Sequence, residues 1–168
     1  MEEYQTIQHT FAPVWDLKSE KLILGTFPSV KSRENHFYYG HPQNRFWKLL
    51  ANIYNTPVPE TIEEKKELIL SNHLAIWDVI AQCDITGSSD SSIRNVVPND
   101  IAGLLEKSNI HTVIANGAKA YELYEKHQKQ KTGVPIYKLP STSPANAAWS
   151  MERLQEAWSE VLTVKSNE

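Results

Sequence analysis

Apolar and polar positions follow two different periods along this chain, and the places where the period changes lay out its elements. Residues 21–25 (KLILG) form a short apolar run that ends at a glycine, the pattern of a buried strand. Over 46–54 and again over 62–70 the apolar residues recur at three- and four-residue spacing, which predicts two helices. Residues 74–80 (LAIWDVI), 111–115 and, after Gly133, 134–139 are expected as three further buried strands. Asn99 is placed to cap a short helix over 100–107. Asn116-Gly117 turns the chain into a helix over 118–128, with Ala120, Leu123, Tyr124 and His127 on one face. Ser150 caps a final helix whose Met151, Leu154, Ala157, Trp158, Val161 and Leu162 form a stripe suited to core packing.

Strands that alternate with helices imply an α/β fold: a three-layer α/β/α sandwich around a central, mainly parallel four-stranded sheet with right-handed crossovers. No repeat, low-complexity stretch or linker divides the sequence, so 1–168 is expected to be one domain. Sheets of this kind bind ligands beyond the carboxyl ends of their strands. The unusual loops fall there: Thr26, Phe27, Pro28 and Ser29 after the first strand, Asn116-Gly117 after the third, and 140–144 after the fourth.

Composition narrows the functional classes. With 168 residues, 40% apolar and 22% charged, the chain has enough apolar matter for one core. The one cysteine, Cys83, cannot form an internal disulfide, which fits a reducing cytoplasmic setting. The N-terminus lacks a secretory pattern and no apolar run reaches membrane-spanning length, so a soluble protein with no membrane partner is expected. A net charge of -3 argues against a polycation that coats nucleic acid. Any contact with DNA must be local, with Lys31, Arg33, Arg45, Lys48, Arg94 and Lys119 as candidates among what is otherwise ordinary solvated surface.

Two segments carry candidate chemistry. The first, 25–44 (GTFPSVKSRENHFYYGHPQN), is a long connection between strand and helix, and such loops tend to be functional. It sets Phe37, Tyr38 and Tyr39 beside His41, Gln43 and Asn44, the mixture needed to stack on a planar base and read its edge, although aromatic clusters also serve as core. The second, 139–147 (LPSTSPANA), places three hydroxyls between two prolines, which suits either phosphate contact or a capped turn. Six histidines and one cysteine show no zinc spacing, so no metal is expected. Walker, dinucleotide-binding and nucleophile-elbow motifs are missing from the sequence, and no cofactor is expected. A serine hydrolase built on Ser29, Ser141 or Ser143 with His41 is a rival that nothing in the sequence assembles.

The stretches 13–29 (PVWDLKSEKLILGTFPS), 38–50 (YYGHPQNRFWKLL), 90–101 (DSSIRNVVPNDI) and 139–147 together resemble the hypoxanthine-DNA glycosylases of the uracil-DNA glycosylase superfamily, in that family's order and over nearly the whole chain. HPQNRFW also resembles a stretch of the mismatch-specific uracil and thymine glycosylases. The resemblance implies a uracil-DNA glycosylase-like fold and a monofunctional enzyme that hydrolyses the N-glycosidic bond of deaminated bases in DNA, hypoxanthine first. Uracil or a mismatched uracil or thymine is the alternative substrate, with xanthine as a further side substrate, and a catalytically silent nucleic-acid-binding module on the same fold is a further alternative reading. It also implies Asn44 as the catalytic residue and Tyr39 as the ring that stacks on the extruded base, with Thr26, Phe27, Pro28, Ser29 and His41 around that base. Ser141, Thr142, Ser143, Pro144, Ala145 and Asn146 would hold the DNA, the serines at phosphate and Ala145 and Asn146 at the gap in the duplex. Phe27 stands where the mismatch enzymes carry a catalytic Asn, and Ala145 is small where some relatives place a wedge. Asp78 and Asp90 are candidates for polar support. The expected partner is damaged DNA, duplex or single-stranded, met by a monomer in the cytoplasm.

Overall fold

The computed structural model describes residues 4–163 with the exception of Thr10. In chain order the elements are β1 (Gln5–Gln8), β2 (Lys21–Gly25), α1 (Val30–Asn35), α2 (Phe46–Ile53), α3 (Ile62–Ser71), β3 (Leu74–Asp78), β4 (Ile80–Ile85), a 3-10 turn (Asp90–Ser92), β5 (Arg94–Pro98), α4 (Ile101–Lys107), β6 (Thr112–Asn116), α5 (Ala118–His127), α6 (Lys129–Thr132), β7 (Ile136–Leu139) and α7 (Met151–Leu162).

Four strands form the central sheet in the order β3-β2-β6-β7, every neighbouring pair parallel. Because side chains alternate across a strand, Ile23, Ile76, Ile114 and Leu139 face one core while Leu22, Leu24, Ala75, Val113 and Ala115 face another. Phe46 and Leu50 of α2, Ile69 of α3 and Leu154 and Trp158 of α7 cover the first face. Ile101 and Leu104 of α4 with Leu123 and Tyr124 of α5 cover the second. The expected three layers and parallel sheet are therefore present. Lys21 reaches across to α7, where its amine donates to the carbonyls of Val161 and Leu162 at 2.8 and 3.0 Å. Desolvation lowers its pKa, against the pull of Glu20.

A second, antiparallel sheet of order β1-β4-β5 was not legible in the sequence. The reason is its polarity: β1 (QTIQ) and β5 (RNVVP) are mostly exposed, with Ile7 and Val96 half-buried against the core, while β4 sends the fully buried Ile80, Cys83 and Ile85 into it. The run 74–80 is not one strand, since β3 closes at Asp78 and β4 opens at Ile80. Nor is 25–44 without structure, because Ser29 caps the short α1, its Oγ accepting from the Ser32 amide at 3.2 Å. The cap of α4 is Asp100 rather than Asn99: Asp100 Oδ1 accepts from the Gly103 amide at 3.0 Å. Asn99 instead ties the β3–β4 turn, donating to the carbonyls of Asp78 and Ile80 at 2.9 and 3.2 Å. Ser150 does cap α7. Along the outer edge of β3, Val14 and Ile76 exchange two backbone hydrogen bonds of 3.0 Å, and the chain before that bridge carries His9 toward the carboxyl end of the sheet.

Candidate active site

The parallel strands end at Gly25, Asp78, Asn116 and Leu139, and the loops that follow close around a cavity of about 300 Å³. Thr26, Phe27, Pro28, Ser29, Tyr39, His41 and Asn44 line it together with Ser141, Thr142, Ser143, Pro144 and Ala145 and with Asp78, Asp90 and Asn116. The two segments singled out in the sequence thus meet in one cleft. Asn146 is not among the lining residues; its amide donates to the Ser141 carbonyl at 3.0 Å and holds the loop.

Tyr39 stands in an unusual backbone conformation. Its φ of 53° lies in the left-handed region, which costs a bulky residue about 1–3 kcal/mol and persists only where surroundings impose it. Those surroundings are specific. Trp47 donates its indole N–H to the Tyr38 carbonyl at 3.1 Å, and the Gly40 amide donates to Ser32 Oγ at 2.8 Å. The Tyr39 ring lies on Phe46 with centroids 4.0 Å apart and planes at 26°. Burial, with the Asp78 charge added and the Asn116 side chain opposing, pushes its phenol far above the ordinary range, so it stays neutral.

The hydrogen bonds of Asn44 fix which end of its amide faces the cavity. Its Oδ1 accepts from the Phe46 main-chain N–H at 3.0 Å and from the Thr142 hydroxyl at 2.8 Å. A main-chain N–H can only donate, so the atom it meets is the oxygen. With that oxygen engaged twice, Asn44 offers the cavity its NH₂ group, a donor.

Thr142 was expected at the DNA, but it is fully buried and its hydroxyl is turned inward to Asn44. Arg45, a candidate phosphate contact, also turns inward. Its guanidinium donates to the carbonyls of Ser143 and Asn146 at 3.1 and 3.0 Å and to that of Trp149, which fastens the 141–149 loop to the start of α2. Arg33 donates to the Gly87 carbonyl at 2.9 Å, Arg94 stacks on Tyr4, and Lys31 pairs with Glu34. In the loop, Ser141 Oγ accepts from the Ser143 amide and Ser143 Oγ from the Ala145 amide, each at 3.1 Å. Each serine keeps its O–H as a donor. Gly117, at φ 98°, lets β6 end directly beneath this loop, since a Cβ there would lie 3.1 Å from Ser141 Cβ.

The partner of Asp78, His9, was missed in the sequence. Asp78, 3% exposed, lines the cavity, and its Oδ2 sits 2.8 Å from His9 Nε2. His9 is enclosed by the rings of Phe11, Tyr38 and Phe27 at 4.5, 5.8 and 6.3 Å. The available signal was a carboxylate closing a fully apolar strand, which demands a partner, although nothing in the polar N-terminal segment marked His9 as that partner. Gly25 makes room for the pair: a Cβ on it would lie 2.4 Å from Asp78 Oδ1 and 3.0 Å from the Tyr39 hydroxyl. Asp90 is an exposed lining residue of the cavity. Desolvation raises its carboxyl above the ordinary value, Lys119 opposes the rise and Asp78 adds to it.

A cleft at the switch of a parallel sheet, walled by an aromatic ring, an amide donor and a carboxylate acceptor, is the kind of site that takes a planar heterocycle. The family model of the uracil DNA glycosylase superfamily matches residues 12–162. This chain belongs to that superfamily. It is 35% identical over 154 residues to a hypoxanthine DNA glycosylase of Methanosarcina acetivorans, covering 89% of this chain and 95% of the relative. A hypoxanthine DNA glycosylase of Methanosarcina barkeri is 33% identical over 152 residues, with 89% and 94% covered. The solution NMR structure of a candidate uracil DNA glycosylase from Methanosarcina acetivorans superposes with a TM-score of 0.77 at 35% identity, covering 90% of this chain and 94% of that one.

Proposed function

We propose that this protein is a monofunctional DNA glycosylase that hydrolyses the N-glycosidic bond of deoxyinosine and releases hypoxanthine. The observation that carries this is the pairing, in one cavity, of an amide donor at Asn44 with a buried carboxylate acceptor at Asp78. Hypoxanthine offers a ring N1–H beside acceptors at O6, N7 and N3. Adenine reverses the first of these, with a bare N1 and an N6 amine, and a carboxylate facing that N1 leaves two acceptors opposed. Two relatives bearing the name hypoxanthine DNA glycosylase support the same base.

Extruding the nucleotide costs a few kcal/mol, least at a mispaired site, and stacking on an aromatic ring such as Tyr39 returns about 1–3 kcal/mol. Departure of the base leaves negative charge on the purine and an oxocarbenium-like sugar. The Asn44 N–H stabilises the leaving purine, a contribution that strengthens as charge develops. Since the Asn44 oxygen is engaged elsewhere, the attacking water is taken by another acceptor, and Asp90, with its raised carboxyl lining the cavity, is suited to accept a proton. Among the described residues, none that lines the cavity is a lysine, which fits hydrolysis without a Schiff base and hence without strand cleavage. The serines of the 141–143 segment then meet the DNA backbone, and the enzyme acts as a monomer in the cytoplasm. Uracil presents a comparable N–H flanked by carbonyls and is the second substrate, in keeping with the described neighbour.

Incubation with labelled duplexes that carry one inosine, one uracil or one mismatched thymine, followed by alkali, tests this. Inosine is expected to react fastest, with breaks only after alkali. Folded protein that releases a base from none of the duplexes refutes the glycosylase, and breaks before alkali refute the monofunctional class.

A further inference from the structure

Beyond the contact of its hydroxyl with Asn44, Thr142 joins Asn116 in a directed chain of hydrogen bonds that ends on Asn44. The Asn116 amide Nδ2 donates to Thr142 Oγ1 at 3.0 Å, and its Oδ1 accepts from the Thr142 main-chain N–H, also at 3.0 Å. That second bond identifies the two ends of the Asn116 amide, because a main-chain N–H can only donate. With Nδ2 pointing at Thr142 Oγ1, the hydroxyl must send its single proton onward, and the acceptor in its path is Asn44 Oδ1 at 2.8 Å. Thr142 is fully buried and Asn116 is 8% exposed, so bulk water has little access to these bonds. The Arg45 amide donates to the Thr142 carbonyl at 3.1 Å, which locks the same residue to the segment that carries Asn44.

We propose that Thr142 and Asn116 are positioning residues that hold the Asn44 amide with its NH₂ toward the cavity. The chain also joins two functions. Thr142 lies between Ser141 and Ser143, the hydroxyls placed to meet phosphate, so a clamp seated on the DNA backbone and an amide aimed at the base are parts of one hydrogen-bonded unit. Correct seating of the clamp is thereby coupled to correct aim of the donor. The inference rests on the proposed role of Asn44.

The test uses the full chain with an inosine duplex, and reads the single-turnover excision rate, duplex affinity and thermal midpoint together. Thr142→Val keeps the shape and removes the relay. The excision rate is expected to fall about 10- to 100-fold, the scale of a misaimed catalytic group, with affinity within about twofold, since the lost bond faces no DNA. Thr142→Ser, which restores the hydroxyl, is expected to recover most of the rate. Asn116→Asp places a carboxylate on Thr142 Oγ1, draws the proton away from Asn44 and is expected to slow excision to a similar degree, which keeps the test decisive if Thr142→Val does not fold. A wild-type protein that excises no base refutes the proposed function. An active wild type with Thr142→Val and Asn116→Asp equally fast refutes the relay alone, as does a Thr142→Ser variant no faster than Thr142→Val, or a rate loss matched by an equal loss of affinity.

Discussion

His9 and Asp78 form a buried pair whose contribution can be measured by mutation. Their side chains are 2% and 5% exposed and 2.8 Å apart, so His9→Ala leaves a buried carboxylate without its partner. Leaving a buried hydrogen-bonding group without its partner costs about 1–3 kcal/mol. In a domain of this size each kcal/mol lowers the midpoint by about 2–4 °C, so thermal unfolding is expected to shift down by about 2–12 °C. Part of that loss is space vacated among Phe11, Tyr38 and Phe27. His9→Phe refills the space with a ring that cannot hydrogen-bond, and separates the two contributions; it is expected to remain well below wild type. Asp78→Asn removes the charge, and combining it with His9→Phe closes a double-mutant cycle. A coupling of about 1.5 kcal/mol or more is expected, the scale of a hydrogen bond to a charged group. A His9→Phe variant as stable as wild type, or a cycle that adds without coupling, refutes the reasoning.

Two further perturbations follow from the same geometry. Gly25→Ala places a carbon 2.4 Å from Asp78 Oδ1, so the carboxylate must leave its place; base excision is expected to fall at least tenfold, and an unchanged rate contradicts the packing described. Asp90 has a raised carboxyl in the folded state, so its contribution to stability is present below the ordinary carboxylate value, about 4, and is lost as pH rises through the folded value. Asp90→Asn is therefore expected to melt higher than wild type at neutral pH, with the gap closing toward acid, and to excise more slowly; equal melting at every pH refutes the assignment, and unchanged excision removes Asp90 from the reaction.

What could be read from the sequence was what had strong periodicity or hard punctuation. The sheet strands KLILG and LAIWD, the stripe of α7 and the Ser150 cap all declared themselves through burial or a cap. The antiparallel sheet did not, because its outer strands QTIQ and RNVVP keep most side chains in water and leave no apolar alternation. At the site, residue types could be read but directions could not. Asn44 was legible as a polar residue in the right segment, while its role as a donor depends on Phe46 and Thr142 consuming its oxygen, an arrangement across 98 residues of chain. Thr142 and Arg45 illustrate the opposite error, since a hydroxyl and a guanidinium in a loop suggest phosphate until packing turns both inward. His9 was invisible because it sits in a segment with no pattern of its own, 69 residues from its partner Asp78.

Asn44→Asp replaces the NH₂ that Asn44 offers to the cavity by an oxygen while both partners of Oδ1 remain satisfied. Its single-turnover rate on an inosine duplex is expected to fall about 10²–10³-fold, as when one donor to developing charge is lost, with the duplex still bound and the fold intact. Excision by that variant at the wild-type rate would contradict the claim that Asn44 acts by donating to the departing base.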